Sequence, residues 1–194
     1  MVEPGDQPIL NLVGEKVALG PIRRDLLAVY QRWINDFEVL RPLSVRGLQP
    51  QTAEGEVAWY ERMAVSQTDV EFTIYERSSL RPIGNLGLHQ IDHYNRTAIF
   101  GILIGEKDCW GKGYGTEATR LVLDYAFTGL GLQNVMLNVF ATNERAIRAY
   151  TRAGFREIGR RRQAHRVAGN PEDIVLMDCL ATEFERPITR HPVP

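Results

Sequence analysis

Two periodicities alternate along the chain, and the points where one gives way to the other mark its elements. "EKVALGPI" (15–22) reads as a short strand. After it, Leu26, Leu27, Tyr30, Trp33 and Ile34 recur at helical spacing in "RDLLAVYQRWIND". "LRPLSVRGLQP" is a loop by its Pro and Gly content. Thr52 can cap a second helix through about Ala64, with Ala53, Val57, Tyr60 and Ala64 on one side. The pattern then changes to alternation. "VEFTIYE" and "IGNLGLHQID" predict strands, "HYNR" supplies a turn, and "TAIFGILIG", nearly all apolar, predicts a central strand. Two successive antiparallel hairpins fit this spacing. Ala118, Leu121, Val122, Tyr125 and Ala126 then form an amphipathic helical stripe. "NVMLNVF" is a strand, and Asn143 can cap the helix "ERAIRAYTRA", which stops at Gly154, suited to a left-handed C-cap. "FREIGRRRQ" and "EDIVLMDCL" close the sheet. The predicted fold class is mixed α/β (α+β): one layered sheet with helices on its faces, over residues 15–184. Residues 1–14 read as an N-terminal arm and 185–194 as a Pro-rich tail.

Composition narrows the functional classes. With 44% hydrophobic and 24% charged residues in 194, the chain can bury a core and is not of disordered type. A net charge of −1 argues against nonspecific nucleic-acid binding, which needs a basic surface to neutralise phosphates. No apolar run reaches the length of a membrane span, and "MVEPGDQPIL" has acids and prolines where a signal peptide is basic and then apolar. The expected location is therefore cytoplasmic. Cys109 and Cys179 are too few and too far apart for a disulfide framework or a zinc ribbon, so no metal is expected there.

The stretch with the most chemistry is "CWGKGYGTEATRLVLDYAF", with Gly111, Gly113 and Gly115 at alternate positions before the amphipathic helix. Glycine permits φ > 0 and close approach of a ligand to the backbone. The amides at a helix start are unpaired, and the macrodipole favours negative charge there. Such a loop is either a phosphate cradle or a flexible strand-to-helix turn. It is not a dinucleotide fingerprint, because Thr116 stands where a third glycine is required. Nor is it a P-loop, because Lys112 is followed by Gly113 and position 106 is Glu.

"WGKGYGTEATRLVLDYAF", a following strand and then "NERAIRAYTRAGF" resemble the GNAT N-acetyltransferase superfamily, and within it the branch that includes ribosomal-protein-alanine N-acetyltransferases. The likeness covers roughly residues 15–184 and is strongest over 97–160. It implies acetyl-CoA as donor, its pyrophosphate held by Trp110, Gly111, Lys112, Gly113, Tyr114, Gly115 and Thr116. It also implies that the preceding strand, around Leu103 and Ile104, bonds pantetheine through its main chain, and that Asn143 contacts the cofactor arm. Asn143 can serve there as well as in the helix cap. The likeness further implies that Trp33, Phe37 and the 38–50 loop line the acceptor pocket. A homodimer is common in the family.

Acetyl transfer to an amine needs a deprotonated amine, a stabilised carbonyl oxygen and a stabilised leaving thiolate. Tyr150 lies two helical turns after Asn143 and so on the same face. From spacing alone it reads as a core aromatic beside Ile147 and Ala153; the resemblance makes it the acid for the thiolate. No base is assigned. Many relatives carry a glutamate on the strand before the glycine loop, where this chain has Thr97-Ala98-Ile99-Phe100. Glu71, His89, Asp92 and His93 lie near in the predicted hairpins, and the two histidines read as surface or core residues. The run Arg160, Arg161, Arg162 and Arg166 reads as a solvated strand and loop, with an acidic or ribosomal partner as its other use.

Two functions follow. The first is an acetyl-CoA-dependent N-acetyltransferase acting directly on a primary amine, either a protein N-terminus or a small molecule. The second is a CoA-binding sensor or assembly module without catalysis, which the missing acid at Ile99 motivates and which Tyr150 and Asn143 speak against.

Overall fold

The strands of the computed structural model, which describes residues 7–43, 49–167 and 169–185, are β1 (Leu12–Val13), β2 (Val17–Pro21), β3 (Val70–Glu76), β4 (Pro82–Asp92), β5 (Thr97–Ile104), β6 (Asn134–Phe140), β7 (Arg156–Val167) and β8 (Asn170–Leu180). They form one sheet in the order β1-β2-β3-β4-β5-β6-β8-β7. The near-continuous apolar strand β5 lies in the middle, as its composition predicts. The helices are α1 (Leu27–Asn35), α2 (Phe37–Leu40), α3 (Ala53–Ala64), α4 (Tyr114–Asp124) and α5 (Glu144–Ala153). The stripe of α4 runs on through a π-helical turn, Tyr125–Gly129, where Tyr125 meets Phe72 edge-on at 5.7 Å.

The helix ends follow local chemistry. Thr52 Oγ1 accepts the Gly55 N–H at 3.1 Å, Asn143 Oδ1 accepts the Ala146 N–H at 3.1 Å, and Gly154 ends α5 at φ +120°. Two elements differ from the sequence reading. Leu12–Val13, read as part of an arm, pairs antiparallel with β2, Leu12 opposite Leu19. Phe37–Leu40 forms a short helix because Asp36 caps it, its carboxylate accepting the Glu38 N–H at 2.9 Å. The arm's first six residues, positions 44–48 of the predicted loop and the tail from 186 lie outside the described residues.

The sheet buries both faces. On one, Phe72, Ile74, Leu86, Leu88 and Phe100 pack with Ala118, Leu121 and Val122 of α4 and Tyr150 of α5. Each such aliphatic or aromatic side chain contributes about 1.5–3 kcal/mol relative to exposure. Alternation turns Thr73 to the other face, where Tyr30 of α1 hydrogen-bonds its hydroxyl at 2.5 Å. Trp33 and Tyr30 are fully buried in that second layer.

The decisive irregularity lies between β5 and β6. They run parallel and pair only at Thr97↔Asn134, Ala98↔Val135 and Ile99↔Met136. Beyond Ile99, β5 stays with β4 while β6 stays with β8 along its full length. The two strands therefore part, and a wedge opens through the middle of the sheet.

Candidate active site

The wedge gives β5 main-chain groups with no strand to bond. The Gly105 N–H bonds Ile83 O at 2.9 Å, and Leu103 stands opposite Asn85. By the alternation of an antiparallel ladder, the amides of Gly101 and Leu103 face β4, and those of Ile102 and Ile104 face the opening. One of these groups is already engaged: Trp110 Nε1 donates to Ile104 O at 2.8 Å. Of the predicted pantetheine partners, Ile104 is thus at the wedge and Leu103 faces away from it. Ile102, which the sequence reading passed over, is the second residue facing the opening; strand alternation and the point where β6 departs are its signal.

At the end of β5 the chain turns through Trp110 into the glycine stretch. Gly111 and Gly113 adopt φ +76° and +85°, conformations that favour glycine, and a Cβ at Gly111 would meet nothing within 4 Å. The loop is therefore open on its outer side and hands its amides directly to the start of α4. A cleft of about 200 Å³ runs from this loop along the wedge to α5. It brings together Ile104, Trp110, Gly111, Gly113, Tyr114, Gly115, Thr116, Asn143 and Tyr150. Lys112, like Leu103, is not on its wall; its carbonyl accepts a hydrogen bond from Lys16 Nζ at 3.2 Å. The bare backbone at a helix N-terminus, beside unpaired strand amides, fits a diphosphate joined to an extended pantetheine arm.

Arg145 of α5 was not predicted. Its guanidinium stacks over the Trp110 ring at 4.1 Å and places a cation at the cleft wall. Asn143 Nδ2 donates to Pro42 O at 3.0 Å, so the α5 cap also ties down the segment after α2. Val39 of α2 and Pro42 and Leu43 of that segment line the cleft. Trp33 does not line it. The ring lies against Gly105, where a Cβ would collide with it, and Nε1 donates to Glu106 Oε1 at 2.8 Å. Phe37 is exposed and is likewise absent from the cleft wall.

Tyr150 is 8% exposed, edge-on to Phe100 at 6.1 Å and to Phe155 at 6.0 Å. It is a core aromatic that also lines the cleft. Burial pushes its pKa up to about 12, so the hydroxyl keeps its proton. On the opposite face, burial pushes Glu71 up to about 8, with the neighbouring charge of Asp69 adding to it, and Glu56 up to about 7. Among the described residues, no group of three or more His, Cys, Asp and Glu could hold a metal ion. The basic run lies exposed on edge strand β7, Arg160 paired with Glu157 at 2.7 Å and Arg166 donating to Gly169 O.

A glycine loop, a parted pair of parallel strands and Tyr150 thus meet in one cleft. The acetyltransferase (GNAT) domain model matches residues 16–156, and the chain belongs to that family. By class it is an enzyme, an acetyl-CoA-dependent N-acetyltransferase. The chain is 31% identical over 140 residues to spermidine N(1)-acetyltransferase of Escherichia coli (strain K12), 72% of each chain being covered. It is 29% identical over 113 residues to the uncharacterized N-acetyltransferase p20 of Bacillus licheniformis, spanning 58% of this chain and 63% of that one. Among solved structures, spermidine N-acetyltransferase from Vibrio cholerae, in complex with CoA and spermine, superposes with a TM-score of 0.81 at 22% identity, covering 88% of this chain and 98% of that one.

Proposed function

We propose that this protein acetylates a primary amine of a small polycation of polyamine type, by direct transfer without a covalent enzyme intermediate. One observation carries the reading. The cradle and Tyr150 share one cleft, and on the sheet face opposite Tyr150 the Glu71 carboxyl is stripped of solvent, while Glu56 is buried on α3. Buried acids of this kind are costly without a cation, and a polyamine supplies several. The relationship to a spermidine acetyltransferase supports it.

The chain's own residues divide the work. The amides at the start of α4, freed by Gly111, Gly113 and Gly115, hold the diphosphate, and Arg145 adds a positive charge beside them. The main chain of Ile102 and Ile104 orients the pantetheine arm and offers an N–H to the carbonyl oxygen, a preorganised site for its developing charge. Asn143 spends its Oδ1 on the α5 cap and one Nδ2 proton on Pro42, leaving one N–H for the arm. Tyr150 is a weaker acid than a thiol, whose ordinary pKa is about 8.5. Its contribution is therefore a hydrogen bond to the departing sulfur, with complete proton delivery only as charge builds there.

CoA release tests this, with spermidine, spermine, aminoglycosides, amino acids, and peptides beginning in Ala or Ser as acceptors. Polyamine turnover that falls about 10²-fold in Tyr150→Phe, with the acetyl-CoA melting shift retained, is the expected result. Unchanged turnover in that variant removes the tyrosine's role. A second reading, acetylation of a protein N-terminus as in the ribosomal-protein-alanine branch, is favoured by 36% identity over 102 residues to YdaF of Bacillus subtilis (strain 168), a candidate ribosomal N-acetyltransferase. Turnover of the peptides alone decides for it. A homodimer in the cytoplasm, binding no nucleic acid, completes the proposal; sedimentation and fractionation test it.

A further inference from the structure

The sheet face on which α1 packs carries a file of titratable groups outside the cleft. Glu71 on β3 has a side chain only 10% exposed, and its Oε2 has no hydrogen-bond partner. That oxygen lies over Gly87 on β4, in space that a Cβ there would take. His89, two residues further along β4, places Nε2 3.5 Å from the same oxygen. Nε2 is also 3.5 Å from where a Cβ would stand at Gly101 on β5. His89 Nδ1 lies 3.4 Å from Asp69 Oδ1. Asp69 is itself held by Ser66 Oγ at 2.7 Å, Thr68 Oγ1 at 3.3 Å and the Gln90 N–H at 3.2 Å.

The backbone is shaped around this file. Gly87 and Gly101 are cross-strand partners, so two adjacent positions on one face lack side chains. Directly after His89 the ladder slips, and Gln90 takes φ +51°. A left-handed non-glycine residue costs about 1–2 kcal/mol, and such irregularities re-aim side chains beside active sites.

The location decides the use. His89 stands opposite Ile99, the last β5 residue paired with β6. Past that point β6 no longer flanks β5, whose one face carries the His89 ring over Gly101 and whose other carries Phe100 against Tyr150. The imidazole and the phenol thus lie over opposite faces of β5, beside the point where β6 leaves it.

We propose that His89 Nε2 is the proton acceptor for the incoming amine, with Asp69 and Glu71 as its positioning residues. This rests on the acetyl-transfer reading above. Asp69 at Nδ1 favours the tautomer with hydrogen on that nitrogen and leaves the Nε2 lone pair free. Burial lowers the pKa of His89 from its ordinary value, so the ring is neutral and able to accept. Among the described residues, the titratable groups beside it are Asp69 and Glu71, and β5 presents Ile99 and Gly101 to it.

The step balances. The ammonium gives one proton to His89 Nε2, and the freed nitrogen lone pair forms the C–N bond. The C–S electron pair leaves on sulfur. The second nitrogen proton passes to that sulfur, with Tyr150 assisting, and the proton on His89 returns to solvent past the part-exposed Asp69.

The test measures CoA release against pH, using the amine with the highest wild-type rate in the panel. His89→Gln is expected to lose about 10²–10³-fold in kcat/KM for the amine near pH 7. The loss should shrink toward pH about 10, where the amine deprotonates without help. His89→Ala should regain activity with added imidazole, and Asp69→Asn should displace the pH profile while the acetyl-CoA melting shift stays at the wild-type value. A loss below threefold, or one equal at every pH and not rescued by imidazole, overturns the assignment while leaving acetyl transfer intact. If the histidine variants lose the acetyl-CoA melting shift, the Asp69→Asn profile decides: a displaced profile supports the assignment and an unmoved one overturns it. No CoA release by the wild type with any amine overturns the acetyl-transfer reading and this one with it.

Discussion

Glu71→Gln is expected to stabilise the protein, and increasingly so as pH rises. The substitution keeps the size and shape of the side chain and removes its charge. In the unfolded chain this carboxyl titrates near 4.5, whereas burial raises it to about 8 in the fold. The folded state therefore binds the proton more tightly than the unfolded state between those values. Below pH 4.5 both states are protonated and the group is neutral toward folding. As pH rises toward 8, the unfolded state loses the proton first, and the wild type loses stability by about 1.4 kcal/mol per pH unit. Integrated, the cost is about 1 kcal/mol at pH 5 and about 4 kcal/mol at pH 8. Urea unfolding of wild type and variant at pH 5, 6, 7 and 8 measures it. The stability difference should widen by about 3 kcal/mol across that range. A difference that stays constant within about 1 kcal/mol would refute the reasoning, since an uncharged or solvated Glu71 has no such slope.

Three further outcomes are expected. Gly113→Ala forces an L residue to φ +85°, at about 1–2 kcal/mol, with no clash beyond ordinary contact with Lys16; a lower melting temperature and weaker acetyl-CoA binding by calorimetry are predicted, and unchanged binding would separate the loop from the donor. Gly105→Ala puts a methyl into the Trp33 ring, so the denaturation midpoint should fall by the equivalent of about 1–3 kcal/mol; an unchanged midpoint contradicts the packing. Asn143→Asp keeps the oxygen that caps α5 but loses the donor to Pro42, whereas Asn143→Ala loses both. The alanine variant should cost about 1 kcal/mol more than the aspartate, and equal losses would assign all the stability to one bond.

The sequence by itself determined the order of most elements, their ends and the bare backbone of the glycine loop. Those signals are local. Helical and strand periodicities, the caps at Thr52 and Asn143, the stop at Gly154 and the glycines at 111, 113 and 115 depend on residues within one or two turns of each other. The glycine spacing also excluded the dinucleotide and P-loop alternatives, and with the Asn143–Tyr150 helix it carried the family.

What only the tertiary structure decided is where distant segments meet. The pairing of β5 with β6 at just three positions has no mark in either strand, because both remain good strands with other partners. That departure turns Ile102 to the opening and Leu103 away from it. Trp33 reads equally well as pocket lining or core until Gly105 is placed against its ring. The edge strand at Leu12–Val13 is too short to show a period and exists only by pairing with β2. Asp69 and Glu71 lie at the start of β3 and His89 near the end of β4, all with ordinary neighbours, and nothing local records that two bare glycines and a slipped ladder bring them together. Burial and register are long-range quantities, and the proton chemistry of this site depends on both.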